Sequence, residues 1–417
     1  MARSRRRPSG PYTGPVSAYG NLLRAPGVGR VIAAQLTARF PFGMLSLAYL
    51  LHVEHVSNSY GAAGLVLAAS SIGQAISGPL TSRWMGRWGM RPVLILTSIV
   101  ALISMAVIAF VTMSVPLYMV VGFVGGLAVP PVQPAVRTIY PKMVTSKQLT
   151  PLFSLDASAQ ELIWVAGPVI TTFIATQVGT VQAICVAMAF LVVGGVWFIA
   201  SPELGRVRIP RSKRAFGVVL RRPSVLITTL AGFLLIGACA AVEAGVVAAF
   251  GEGSANGGIV LAIFAIGSLA GGLGLGHRPI SPSSLWLRMA VVFVGLVLAT
   301  AHVGFWWLCL TLLIAGAGIA PALTVMFGSV SATVKFSDTA EAYGWMGTGQ
   351  LMGAAIGSAV AGFLIDVHGA VGGLAIAAGI AFLGLLLPLA ARRWLPDLRN
   401  RDASPIPDTE PVDLPTT

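Results

Sequence analysis

The chain alternates between apolar runs of about twenty residues and short polar segments. A helix rises about 1.5 Å per residue, so a run of this length matches the roughly 30 Å hydrocarbon core of a membrane. The runs therefore predict an all-α membrane protein with twelve transmembrane helices. The predicted spans cover 31–53, 61–81, 92–113, 115–136, 153–176, 180–200, 225–250, 256–275, 285–302, 305–330, 339–366 and 370–391.

The polar segments differ in charge between the two sides of the predicted membrane. Those on one side carry basic residues, among them Arg83, Arg87 and Arg91 after span 2 and a cluster in 206–222 after span 6. The loops on the other side contain no lysine or arginine. Because basic loops are retained in the cytoplasm, both termini are expected there, in a multi-pass protein of the cell membrane.

The longest internal polar stretch, 201–224, separates two halves of six spans each. The halves resemble each other, since a shift of 190 positions carries Pro131 onto Pro321 and Gly167 onto Gly357. Such repeats are typical of transporters. The domains are a basic cytoplasmic tail (1–30), the first half (31–200), a cytoplasmic linker (201–224), the second half (225–391), and a cytoplasmic tail expected to be disordered (392–417).

The composition excludes a set of soluble domains, because 56% of residues are hydrophobic and only 10% are charged, against about 25% in soluble proteins. The net charge of +13 is confined to short segments between apolar runs, so topology explains it better than nucleic-acid binding. No nucleic-acid partner, cofactor or metal is expected. The expected partners are the lipid bilayer, a small-molecule substrate and protons as the coupling ion, with the protein acting as a monomer.

The turn after span 2 carries the strongest motif. Residues 82–91, SRWMGRWGMR, match the loop signature G-x-L-x-D-R-x-G-R-R at Arg87, Gly89 and Arg91, whereas Gly86 stands at the position of the acid. The chain thereby resembles the major facilitator superfamily over its whole spanning length. The resemblance implies two pseudo-symmetric six-helix halves and alternating access. It also implies a cytoplasmic gating loop formed by Arg83, Arg87, Gly89 and Arg91, which without the acid must find other partners, such as lipid phosphates.

Span 5 contains Gly167-Pro168, which is similar to the Gly-Pro core of the exporter signature in this family. The resemblance implies a bacterial efflux-type member that exports small amphipathic organic compounds, with protons as the coupling ion. Span 4 lacks the arginine of many proton-coupled exporters, which weakens the antiport interpretation. An uptake carrier or facilitator for a small nutrient is the alternative, and a membrane ligand sensor that transports nothing is a second one. No phosphate loop or catalytic set indicates an enzyme.

Charged residues inside spans indicate function because they are costly in a membrane. Arg39 in span 1, the only basic residue expected deep inside a span, would bind either an anionic group of the substrate or a protein carboxylate. Glu161 in span 5 is the candidate partner, or else a proton carrier. Glu243 in span 7 is either a proton carrier or a group near the outer surface. Asp156 completes the set of candidates for proton coupling.

Polar and aromatic side chains are expected to complete a pocket for amphipathic compounds. Trp345 and Thr348 lie three residues apart on span 11 and so share one helix face. Packing between helices is the alternative interpretation for each of them. The predicted substrate cavity is lined by Gln35, Arg39, Gln133, Gln160, Trp164, Trp345, Thr348 and Gln350.

Overall fold

The structure is a computed structural model that describes residues 19–20, 22–251 and 254–408. Ten helices in this part of the chain are long and apolar enough to cross a membrane, and Ser284–Thr300 is a shorter apolar helix. The helix Phe336–Ala390 contains two spans, because Gly369 interrupts it with a φ of 62°. The spans, numbered in chain order, are Val28–Ser57, Tyr60–Trp88, Met90–Phe110, Val115–Met143, Ser146–Gln177, Thr180–Ala200, Pro223–Phe250, Ala255–Leu275, Ser284–Thr300, Phe305–Thr333, 336–368 and 370–390. The twelve-helix fold class is confirmed.

Several spans are interrupted partway along their length. Span 1 breaks at Phe40, because Pro41 has no N–H and its fixed φ suits the first turn of a new helix. Span 4 breaks at Pro130 and Pro131 for the same reason. Span 5 breaks at Gln160, without a proline. These three breaks lie next to the charged residues of the first half.

The two halves meet near one end of the spans. We call this end the basic side, since it carries Arg83 and the linker 201–224. A Cβ on Gly78 of span 2 would lie 2.9 Å from the carbonyl oxygen of Gly344 on span 11, so these helices touch through their backbones. In the part of the chain that the structure describes, no extensive packing joins spans 1 and 7. The halves are therefore closed together on the basic side.

Two arginines that were expected among the basic residues at the ends of spans are buried inside spans. Arg137 is completely buried in span 4, which continues to Met143 instead of ending near 136. Arg288 is buried in span 9 and donates a hydrogen bond to the carbonyl oxygen of Pro321 at 2.6 Å. The prediction that Arg39 is the only basic residue deep inside a span was wrong. A hydropathy scale includes the cost of placing each cation in a span, but it does not include the buried partner that offsets this cost.

The prediction that the C-terminal tail is disordered was wrong for its described part, 392–408. The Leu398 side chain is buried, and its N–H donates to the carbonyl oxygen of Ile280 at 2.9 Å. Ile406 exchanges backbone hydrogen bonds with the segment before span 11, including one of 3.0 Å from the N–H of Phe336. A few apolar side chains and several backbone hydrogen bonds are thus sufficient to pack a polar tail against the second half.

Candidate functional site

A buried ion cluster lies where spans 1, 4 and 5 meet. The carboxylate of Asp156 accepts a hydrogen bond from Arg137 Nε at 2.8 Å and one from Gln35 Nε2 at 3.1 Å. Arg39 Nη1 lies 3.4 Å from the same carboxylate. The Asp156 side chain is fully buried, as is Arg137, while Arg39 is 4% exposed. Buried charges persist only when they are paired and hydrogen-bonded, as these are.

The break in span 5 contributes to this cluster through Gln160. Its side-chain oxygen accepts hydrogen bonds from Arg39 Nη2 at 2.9 Å and from Arg137 Nη2 at 3.3 Å. The guanidinium carbon of Arg137 also lies 3.4 Å from the ring centroid of Phe327 on span 10. The cluster of the first half therefore reaches the second half through a cation–π contact.

This geometry decides between two interpretations of Arg39. Its partner is Asp156, and the expectation that Glu161 would pair with it was wrong, because Glu161 begins the next helical segment and contacts span 8 instead. Asp156 is held by two guanidinium groups, an arrangement that favours a structural role for this carboxylate over proton carriage. Gln35, Arg39 and Gln160 lie together, as predicted, but inside packed protein and not on an open cavity.

Glu161 and Glu243 form a second acidic site, between the halves. Ser268 of span 8 donates a hydrogen bond to Glu161 Oε1 at 3.0 Å, so this carboxylate of the first half touches the second half. Glu243 of span 7 is exposed in the structure and lies close enough to Glu161 for the two carboxylates to repel each other. Among the described residues, neither forms an ion pair with lysine or arginine.

Three of the remaining predicted cavity residues, which are all on spans 5 and 11, lie in different surroundings. Trp164 is 54% exposed and lies three residues after Glu161, hence on nearly the same face of span 5. Thr348 belongs to the closed contact between the halves, since its hydroxyl donates to the carbonyl oxygen of Ala75 on span 2 at 2.7 Å. Trp345 packs against Phe216 of the linker, with ring centroids 5.5 Å apart. The expectation that both span 11 residues line an open cavity was therefore wrong for this conformation.

Two further predicted residues pack against neighbouring helices. Gln350 lies beside Gly232 of span 7, where a Cβ would come within 3.3 Å of its side chain. Gln133 lies one turn before Arg137 on span 4 and faces its guanidinium group. Gln133 thus extends the ion cluster, and Gln350 packs between spans 7 and 11.

The predicted gating loop forms a contact between the halves through Arg83. Its Nη1 donates to Glu341 Oε2 of span 11 at 2.7 Å, and Glu341 Oε1 accepts from the N–H of Gly217 in the linker at 2.8 Å. Arg91 instead donates to the carbonyl oxygens of Ile199 and Ser201, which ties span 3 to the end of span 6. The turn itself depends on Gly89, whose φ of 92° is strained for other residues.

The linker 201–224 is a folded cover on the basic side. Ser212 Oγ donates to Asp338 Oδ1 of span 11 at 2.6 Å, and Arg214 lies 3.5 Å from the same carboxylate. Sequence reasoning missed Asp338 and Glu341 as functional residues. The sequence offered one indication, their negative charge, because these acids lie close to segments that are otherwise basic. It also missed Ser268, for which the sequence gives no signal.

The Gly167-Pro168 motif lies where span 5 crosses span 1. A Cβ on Gly167 would lie 2.7 Å from the backbone of Gly43, so only glycine permits this approach. Span 1 changes direction nearby at Pro41. The motif thus keeps the segment of span 5 that carries Glu161 against the segment of span 1 that follows Arg39.

The arrangement of twelve spans in two halves agrees with the comparison to known families. The model of the Major Facilitator Superfamily matches residues 31–300. The chain belongs to the major facilitator superfamily. It is therefore a multi-pass membrane protein of a transporter family. No curated protein matches it in sequence.

Solved structures of this superfamily share the fold. The human organic anion transporter MFSD10 (TETRAN) is 16% identical, with 87% of this chain and 98% of that chain covered and a TM-score of 0.66. The proton:xylose symporter XylE, bound to 6-bromo-6-deoxy-D-glucose, is 14% identical, with 90% and 97% covered and a TM-score of 0.69. A bacterial homologue of the iron transporter ferroportin, in an outward-facing state, is 13% identical, with 88% and 98% covered and a TM-score of 0.66. The names of these proteins give different substrates, so the substrate of this chain has to be inferred from its own residues.

Proposed function

We propose that this superfamily member is a secondary active transporter of the bacterial efflux type, which exports small amphipathic organic compounds in exchange for protons. The observation that carries the proposal is the acidic site at Glu161 and Glu243. These carboxylates come from opposite halves and have no cationic partner among the described residues. Because an unpaired carboxylate is costly within a membrane, the site favours proton uptake whenever it is shielded from water.

The position of the site suits alternating access. If the basic side is the cytoplasm, as the charge of the loops predicts, the halves are closed towards the cytoplasm and the carboxylates take protons from outside. One proton that enters down 100 mV supplies about 2.3 kcal/mol, enough for a roughly fifty-fold gradient of an uncharged substrate. One-for-one exchange with a monovalent cation moves no net charge and is driven by the pH difference alone. A single carboxyl group is therefore sufficient to drive useful export, and Glu161 is our candidate because it contacts both halves.

Two features of span 5 support the proposed class of substrate and the proposed direction of transport. The exposed Trp164 on the face of Glu161 supplies an apolar surface next to an acid, which suits amphipathic organic compounds, cationic ones included. The Gly167-Pro168 motif favours export. In this proposal the protein acts as a monomer in the plasma membrane, and both of its termini are cytoplasmic.

Transport in vesicles tests the proposal. Inside-out vesicles with an acidic lumen should accumulate ethidium, an amphipathic cation, when they contain the native protein. Glu161→Gln should abolish accumulation driven by the pH gradient but retain downhill exchange of ethidium, because only the proton step is lost. Glu54→Gln, a change outside the acidic site, is the matched control and should transport normally.

Each other outcome has a defined meaning. Unchanged gradient-driven transport by Glu161→Gln would remove this residue from coupling. Ethidium movement in the same direction as the protons would support an uptake carrier. Saturable binding in detergent without flux in any vesicle would support the non-transporting sensor, and a complete lack of binding would overturn the substrate class.

A further inference from the structure

A cavity of about 300 Å³ lies on the basic side, between the turn from span 2 to span 3 and the start of the linker. The turn contributes residues 86–92, and the linker contributes residues between 204 and 209. Three arginines line it, Arg87, Arg91 and Arg208, together with backbone and apolar groups. None of the lining residues is acidic. The cavity is thus a concave site with a positive charge on two of its walls.

The charges of this cavity are not neutralised by the described protein. Arg87 and Arg208 are exposed and form no ion pair with any residue in the described ranges. Within the described ranges, Arg91 donates to the backbone carbonyl oxygens of Ile199 and Ser201, which fix its position but do not neutralise its charge. The neighbouring acid, Glu203, pairs with Arg30 at 2.6 Å. The cavity therefore retains capacity for an anion.

The absent acid of the loop signature belongs to this same cavity. Gly86 lines it, and a Cβ there would lie 3.3 Å from the carbonyl oxygen of Pro210. A side chain at 86 would therefore point across the turn towards the linker. An aspartate in this place would supply an internal anion between the arginines, whereas glycine leaves both the space and the charge to a ligand.

The cavity lies at the level where lipid headgroups are found. It includes Trp88, the last residue of span 2, and Met90, the first residue of span 3. Trp88 is 48% exposed and packs on Trp84 at 5.1 Å, as expected for aromatic residues at a membrane interface. The exposed side chains of Ile95 and Leu96 continue from the cavity along span 3. Acyl chains can lie on this apolar surface while a headgroup occupies the cavity.

We propose that this cavity binds the phosphate of an anionic phospholipid headgroup. Arginine recognises phosphate oxygens through paired N–H groups, and basic pockets beside transmembrane helices attract acidic lipids. The apolar surface of span 3 selects a lipid over free phosphate. The bound lipid takes the place of the missing acid of the loop and bridges the turn after span 2 to the linker.

Native mass spectrometry of the purified protein tests this assignment. The detergent-solubilised chain is mixed with phosphatidylglycerol or with phosphatidylcholine, which differ in net charge, and in parallel with inorganic phosphate. The native protein should retain phosphatidylglycerol in preference. The double variant Arg87→Gln/Arg208→Gln should bind it about tenfold less, because each cation near the surface contributes to lipid attraction. Gly86→Asp should weaken binding comparably, through the restored internal anion.

The control removes the same charge from outside the cavity. Arg206→Gln/Arg211→Gln changes two exposed arginines of the same linker that do not line the cavity, and it should retain phosphatidylglycerol as the native protein does. An equal loss of phosphatidylglycerol binding in this control would show that general surface charge causes the effect, and it would overturn the proposed lipid site. Equal retention of the two lipids would also overturn it, and competition by millimolar inorganic phosphate alone would assign the site to free phosphate instead.

Discussion

Arg83 of span 2 forms an ion pair of 2.7 Å with Glu341 of span 11, and this pair joins the two halves on the basic side. Glu341 is buried and also binds the N–H of Gly217, so the linker participates in the same contact. Glu341 is thus the acid that pairs with Arg83, and Arg83 does not line the cavity around Gly86. The contact must break whenever the halves separate on this side.

Glu341→Gln should shift the conformational equilibrium towards opening on the basic side. The variant removes the charge of a pair whose arginine is about one quarter exposed, so we expect a loss of about 1–2 kcal/mol of closure energy. Double electron–electron resonance between spin labels on spans 2 and 11 measures the two populations. Arg221→Gln, a change at an exposed linker residue that forms no ion pair with the described residues and does not line the cavity, should leave the distance distribution unchanged.

Asp156→Asn should destabilise the first half strongly. It leaves Arg39 and Arg137 buried without a counter-charge, and breaking such a buried pair costs about 3–5 kcal/mol. The thermal unfolding midpoint in detergent should therefore fall by several degrees, whereas Asp366→Asn at the exposed end of span 11 should not change it. A stable variant that transports without proton coupling would instead restore Asp156 as a proton carrier.

Gly167→Ala should lower stability although alanine favours helices. Its Cβ would collide with the backbone of Gly43, which cannot move as a flexible side chain would. Overpacking of this kind costs about 1–3 kcal/mol. Gly362→Ala in span 11 is the matched comparison, since a Cβ there meets nothing within 4 Å, and it should be neutral or stabilising by up to about 1 kcal/mol. The unfolding midpoint in detergent should therefore fall for Gly167→Ala and stay constant or rise for Gly362→Ala, and equal shifts would contradict the packing argument.

Leu398→Ala tests the packing of the C-terminal tail. The side chain is 7% exposed, and its truncation should cost about 2 kcal/mol or more, within the range for buried leucines. Arg399→Ala, at a neighbouring exposed residue that pairs with Asp397, should cost little. Limited proteolysis should cut the tail faster in the leucine variant alone, and identical digestion of both would show that the packing contributes nothing.

The sequence by itself determined the architecture and the family. Runs of membrane-spanning length have few alternatives, because an unpaired backbone is excluded from hydrocarbon, so span count follows from hydropathy. The turn that contains Arg87, Gly89 and Arg91 was sufficient to indicate the superfamily, because the loop signature specifies the spacing of its glycine and its cations. The Gly167-Pro168 motif was likewise readable, although its cause, the backbone of Gly43, was not.

Only the tertiary structure decided which charges meet. Sequence spacing gave Arg39 a partner on span 5 but chose Glu161 over Asp156. The two acids are five residues apart, which places them about 140° apart around a helix, so they face different neighbours. Arg137 was assigned to a loop because hydropathy registers a cation and not the carboxylate that compensates it. Trp345 and Thr348 share a helix face, but the conformation, closed on the basic side, determines whether that face meets a cavity or the other half. Pairing between distant spans depends on three-dimensional packing, and no local pattern encodes it.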